Sequence, residues 1–318
     1  KPSKRKKEAT KSMQGEEQTR EDFRAIVRSI VRGVYDIQKL RIQTGNRVVA
    51  NFRARLGLPP GKRDSKELKK MFQLLQAEFD KITDAIVALS RSRSDLMRDF
   101  PGTAIISAFT EYSLMDLYLS MCDREAALFG DLKLIVDDQP IWQLFLKDVK
   151  GCGPAMAGVL LAEIDIHKAK YPSSLWKWAG LDVAPDGKGR SRRKEHLVKR
   201  KYIDKHGKEK EKDSITFNPF LKTKLMGVLA PSFLKSKSPY SEIYNDYKHR
   251  LEHHAVYGKA VKKEPGHRHN MALRYMMKRF LVDLHIRWRG IEGLPVYEEY
   301  AEAKLGYAHG RDIAAAGN

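Results

Sequence analysis

Apolar positions recur with a helical period along most of the chain. Phe23, Ile26, Val27, Ile30, Val31, Val34, Ile37 and Leu40 form one stripe, with Arg24, Arg28 and Arg32 on another face, which predicts a helix from Glu21. Thr44-Gly45-Asn46 is expected to break or bend it, and a polar stretch with Pro and Gly, 58–64, to end the unit. A second stripe starts at Ser65 with Leu68, Met71, Phe72, Leu75, Phe79, Ile82, Ile86, Val87 and Leu89, and Glu67 suits the first turn. Antiparallel packing of the two helices is the simplest way to bury both stripes. After a break at 99–102, residues 104–129 are again helical.

Residues 146–165 read as a helix, a Gly-Cys-Gly hairpin and a second helix. Glycines at 151 and 153 permit positive φ and close approach to an outside group. Pro154 suits the first turn of the helix that follows, whose free amides form an anion site. Lys150, Gly151 and Gly153 are therefore candidate phosphate contacts. The alternative is an ordinary turn between helices with glycines for packing. Ser173 or Ser174 then caps a short helix carrying Trp176 and Trp178, which stack bases or, more in keeping with so short a helix, fill the core. Lys199–Asp204 and Ser214–Phe217 flank His206-Gly207 as a small β-hairpin. Helices follow at 218–233, 240–254 and 270–290. No fixed-period repeat supports a solenoid. The expected fold is mainly α: long N-terminal helices or a coiled coil, then a helix-hairpin-helix domain with a small β-hairpin insert. The expected divisions are a basic flexible arm (1–20), a helical or coiled-coil region (21–140), a DNA-binding domain (141–290) and a tail (291–318).

Charge narrows the function. The 318 residues hold 60 Lys and Arg against 40 Asp and Glu, a net +20, which favours a polyanionic partner. Residues 186–212 alone carry twelve basic residues against five acidic ones. Lys188, Arg190, Arg192, Arg193 and Lys194 surround Ser191 and suit bidentate phosphate contacts. Lys199 and Arg200 extend that run, and Lys222 and Lys224 follow on the next helix. Arg274, Lys278 and Arg279 recur along one helix side, as a backbone-groove contact or a solvated face. Segment 101–150 is acidic and suits nucleic acid less. Two cysteines, Cys122 and Cys152, make no disulfide framework and fit a reducing, cytoplasmic and nucleoid-associated setting. There is no membrane-length apolar run, so no membrane partner is expected. His249 and His253 have metal-compatible spacing, but no cysteine or acidic pair completes a site, so no metal site is expected. Nucleotide-hydrolysis, dinucleotide and kinase motifs are absent.

Four blocks within 145–290 carry a family resemblance: Lys150-Gly-Cys-Gly-Pro154 through Glu163-Ile-Asp165; Leu175–Leu181 ending Ala-Gly-Leu; the basic turn Pro185–Arg193; and Asn218-Pro-Phe-Leu-Lys-Thr-Lys-Leu225. A weaker one follows at His269–Arg289. They resemble the C-terminal domain of insertion-sequence transposases that pair a RuvC-like DEDD domain with a serine-bearing domain (the IS-one-ten type). Two departures stand out. The residues upstream lack the strand pattern of the domain that holds the family's acidic tetrad. Where the family places its serine before glycine, this chain has Lys188-Gly189, and the nearest serine is Ser191, a candidate nucleophile after a one- or two-residue loop slip. The resemblance implies DNA as partner, admits a guide RNA, and brings in Mg2+ only with strand-transfer chemistry; no other cofactor is expected. It implies a transposase-related DNA-binding protein of recombination or transposition; a homo-oligomer is expected. The rival expectation is a catalytically inactive packaging protein that oligomerises and condenses nucleic acid.

Overall fold

The computed structural model describes residues 4–57, 65–88, 92–254, 258 and 264–297, and the side chains of all of these except 4–14 and 93. The expected tail at 291–318 lies largely outside the described residues. The elements run α1 (Lys4–Phe52), α2 (Ser65–Ala88), α3 (Arg93–Arg98), α4 (Phe109–Asp137), α5 (Pro140–Leu144), α6 (Pro154–Glu163), α7 (Pro172–Trp178), β1 (Val198–Ile203) and β2 (Glu209–Ser214). Then come α8 (Pro219–Lys224), a π-turn (Leu225–Leu229), α9 (Ala230–Ser236), α10 (Tyr240–His253) and α11 (Pro265–Ile291). The protein is mainly α with one two-stranded antiparallel hairpin. No described helix is long and apolar enough to cross a membrane. The chain divides into two compact units, one of Ser29–Asp131 and one of the residues before and after it, so the division falls inside α1 and α4.

In the Ser29–Asp131 unit, α1 continues through Thr44-Gly45-Asn46, against the expected break. Gly45 is a packing residue: a Cβ there would lie 3.0 Å from the Tyr118 ring. Thr44 is buried and bonds Met121 Sδ at 3.6 Å. Val48, Val49 and Phe52 of α1 meet Met71, Leu75, Phe79 and Ile82 of α2 and Met115 of α4 in one core. Full burial of each large side chain stabilises by about 1.5–3 kcal/mol. The Glu111 carboxylate gathers Arg55 at 2.6 Å, the Ser107 amide at 2.9 Å and the Asn51 amide at 3.2 Å.

In the other unit, residues 4–20, expected as a flexible arm, are part of α1. The centre is α6, buried on every side from Met156 to Glu163, as a helix apolar all round must be. Leu221, Leu225, Leu229 and Phe233 from α8 to α9, and Met276, Met277, Phe280 and Leu281 from α11, belong to the same buried set. The Phe233 ring stacks on Tyr240 (5.1 Å) and meets Phe280 edge-on (5.3 Å). A buried polar link fixes the C-terminal end of α6: Asn218 donates to the Glu163 carboxylate at 2.5 Å and caps α8 by accepting from the Phe220 and Leu221 amides.

The second hairpin strand is Glu209–Ser214 instead of Ser214–Phe217. A short turn at Asp204–Gly207, with Gly207 at φ +76°, sets that register. Phe217 is instead buried under Gly180, where a Cβ would lie 2.7 Å from its ring.

Candidate nucleic-acid interface

The Gly-Cys-Gly segment forms the expected tight connection into α6. Gly151 has φ +96°, and Gly153 is the N-terminal cap with Pro154 behind it. The two glycines play different parts. A Cβ on Gly151 would lie 2.6 Å from Ser236 Oγ and 3.1 Å from the Phe233 ring, and Ser232 Oγ donates to its carbonyl at 2.8 Å. Gly151 therefore serves packing against α9. Gly153 is exposed, with nothing within 4 Å of a Cβ, beside the first amides of α6 and the exposed Lys150. Between them Cys152 is buried, which pushes its thiol up to about 12 and keeps it unreactive.

A second centre forms on the chain after α7, with contributions from α8 and α11. Residues 182–190 make a narrow turn: Arg190 N–H donates to Asp182 O (3.0 Å), Ala184 N–H to Lys188 O (2.8 Å), and Gly187 takes φ +75°. Arg190 binds one Asp182 oxygen through Nε (3.1 Å) and Nη2 (2.7 Å). Lys222 from α8 donates to the Arg190 carbonyl at 2.5 Å. Arg274 from α11 lies under Gly189, where a Cβ would sit 2.5 Å from its Nη1. That Nη1 is buried without a hydrogen-bond partner, as is Asp182 Oδ1. Burial, with Arg274 and Arg190 nearby against Asp182, brings the Lys222 ammonium down to about 8. Burial also lowers Arg274, against the pull of Asp182. Three cations thus gather around one carboxylate in a half-buried place.

Ser191 follows directly. Its Oγ lies 3.0 Å from His196 Nδ1, and His196 Nε2 lies 3.1 Å from Asp186 Oδ2. The Ser191 amide also donates to Nδ1 at 3.0 Å, which leaves Nε2 to carry the proton toward Asp186. The Lys188 amide, then the His196 contact, hold the Asp186 carboxyl below its ordinary range. His196 is buried, Ser191 is half-buried and Asp186 is exposed. His196 and Asp186 were not legible in the sequence: neither stands in a periodic pattern, and the loop alone brings them together.

The other expected contacts scatter. Lys188, Arg192, Arg193 and Lys194 are exposed on the same loop, and Lys199 and Arg200 lie on β1. Lys224 sits over the Phe220 ring at 5.3 Å and Lys278 over the Trp176 ring at 5.2 Å. Arg279 is half-buried. Trp176 is a core residue whose indole N–H donates to Lys278 O at 3.1 Å. Trp178 is 45% exposed, with its N–H held by Glu163 O at 2.7 Å. Among the described residues no three His, Cys, Asp or Glu side chains converge on a possible metal position.

A family model described as the Transposase IS116/IS110/IS902 family matches residues 144–204 of the 318. That segment runs from the end of α5 through the Gly-Cys-Gly connection and the basic loop to the first strand of the hairpin. The chain is thus similar to this transposase family over that part. No curated protein and no solved structure matches the chain.

Proposed function

We propose that this protein is a transposase-related DNA-binding protein of recombination, gripping the phosphate backbone at the Arg190–Lys222–Arg274 cluster and at the Gly153 end of α6. The cluster carries the reading. Three half-buried cations gather around one carboxylate, with Arg274 Nη1 and Asp182 Oδ1 both without a hydrogen-bond partner, and this excess of positive charge suits a phosphate. The similarity over residues 144–204, a span that includes Asp182 and Arg190 but not Lys222 or Arg274, supports this reading. The test titrates the full chain with duplex, branched and single-stranded DNA and with RNA across a salt series. Arg274→Met should weaken duplex binding and reduce the log–log salt slope by about 0.9, the value of one phosphate contact. Unchanged affinity and slope overturn the role of the cluster. Large regular assemblies on any polyanion would favour the packaging role instead.

A second reading is favoured by the Ser191–His196–Asp186 geometry. Ser191 Oγ attacks a phosphodiester phosphorus, the Oγ–P bond forms, and the P–O bond to the leaving hydroxyl breaks. The Oγ proton passes to His196 Nδ1, which returns it to the departing oxygen, while Asp186 holds the ring orientation. Ser191→Ala should leave DNA affinity intact and abolish any covalent protein–DNA adduct on denaturing gels. An adduct that survives in Ser191→Ala rules out Ser191 as its nucleophile.

A further inference from the structure

The β1–β2 hairpin covers no core. All six positions of β1 and five of the six of β2 are exposed. A two-stranded ribbon without a buried face is marginal in isolation, so the composition of its faces does not follow from burial. The register sorts those faces. Val198, Arg200 and Tyr202 stand opposite Ser214, Lys212 and Lys210 on one face. Lys199, Lys201 and Ile203 stand opposite Asp213, Glu211 and Glu209 on the other.

Every acidic residue of the two strands therefore lies on the second face, where Lys201 meets Glu209 at 3.2 Å. Within the two strands the first face holds Arg200, Lys210 and Lys212 and no carboxylate. Lys210 reaches back to Asp204 in the turn at 2.8 Å, and Lys212 sits over the Tyr202 ring at 5.0 Å. Arg200 has no acidic partner among the described residues. A helical-period reading cannot see this division, because the alternation has period two and opposite charges alternate along β2 itself. Of the two strand residues singled out in the sequence, Arg200 lies on the cationic face and Lys199 on the mixed one.

We infer that the Arg200–Tyr202–Lys210–Lys212 face of the hairpin is a nucleic-acid-binding ribbon that lies in the major groove of B-form duplex DNA. This rests on the proposed DNA-binding function and gives it a second contact surface. The charge fits a phosphate-lined groove, and the groove, about 12 Å wide, admits a two-stranded β-ribbon. The deep, narrow major groove of A-form RNA does not admit it. Rows of side chains on one face repeat at about 7 Å along each strand, so cations two residues apart reach successive backbone positions. Tyr202 adds an aromatic surface with a hydroxyl between them.

Two variants that each remove two charges from the same ribbon provide the test, read by fluorescence anisotropy of the full chain on a duplex DNA over a salt series. Arg200→Gln/Lys212→Gln should weaken binding roughly ten- to a hundredfold at about 0.1 M salt and lower the log–log slope by about 1.8. Lys199→Gln/Lys201→Gln should stay within about threefold of wild type, because its residues face the acidic side. Arg200→Lys/Lys212→Arg keeps both charges and should retain the full slope, which separates loss of contact from loss of folding. Equal losses in the two Gln pairs, or none in the first, overturn the inference while leaving DNA binding in place. The same dependence on Arg200 and Lys212 with an RNA duplex overturns the choice of groove. A wild-type chain that fails to bind duplex DNA at all removes the underlying function instead.

Discussion

At Gly151 and Gly153, two residues apart, the same amino acid answers to different forces. Gly151→Ala brings a Cβ against Ser236 and Phe233 in a backbone conformation that disfavours L side chains, and should cost about 2–4 kcal/mol of stability in denaturant melts. Gly153→Ala meets open space at ordinary φ and should cost under about 1 kcal/mol. Its effect should appear in DNA affinity, through crowding of the first α6 amides. A melt that reverses this order would contradict the packing role of Gly151. Lys222 supplies a pH signature at the same scale. Its folded value of about 8 is below the ordinary lysine value, so between roughly pH 8 and 10.5 the unfolded chain holds this proton more tightly, and stability rises with pH across that window. The stability of wild type relative to Lys222→Met should therefore improve from pH 7 to pH 10. A bound phosphate raises the Lys222 value, so the affinity that depends on this charge should start to fall once the pH passes 8.

At the scale of elements, a buried hydrogen bond between Glu163 and Asn218 links α6 to α8. Asn218→Ala removes both the α8 cap and a hydrogen bond to a buried carboxylate, and should cost about 2–4 kcal/mol. Asn218→Asp keeps the cap but sets two carboxylates together, so its deficit should shrink as the pH falls from 7 to 4. A constant deficit would mean that the pair is not close in solution. Both residues lie in blocks that the sequence marks, yet their link is invisible there because it joins positions 55 residues apart. What the sequence does convey is the period of each helix and the Gly-Cys-Gly connection, since both are local. It misleads at Gly45, where glycine signals a break but the space is filled by Tyr118 from another helix. It misleads again at β2, where apolar Ile215 and Phe217 suggest a strand although the turn at Asp204–Gly207 dictates the pairing. The Ser191–His196–Asp186 contacts belong to the same class. Ser191 is prominent beside its arginines, but its partners are selected by a loop path without a periodic signature.

For the whole molecule, the question is whether a net charge of +20 or a few placed cations govern binding. A uniformly basic surface wraps polyanion through many contacts, and its affinity depends on salt in proportion to their number. With the proposed contacts at Arg190, Lys222, Arg274, Arg200 and Lys212, about five phosphates would be neutralised, which corresponds to a log–log slope near −4.5 for a duplex. Salt screens exposed lysines and arginines outside this set within about 8–10 Å at physiological strength. The donors of the placed set are side chains suited to phosphate, and phosphate contacts carry no sequence information directly. Unrelated duplexes of equal length should therefore bind within a few-fold of one another, with slopes in the range −3 to −6. A slope steeper than about −10 would mean that the charge of the whole surface dominates, and the packaging role would then account better for the protein. A preference of a thousandfold for one duplex would require base-edge contacts beyond the phosphate-directed cations assigned here. The measurement weighs the local geometry against the overall composition, because both use the same lysines and arginines and differ only in how many act at once.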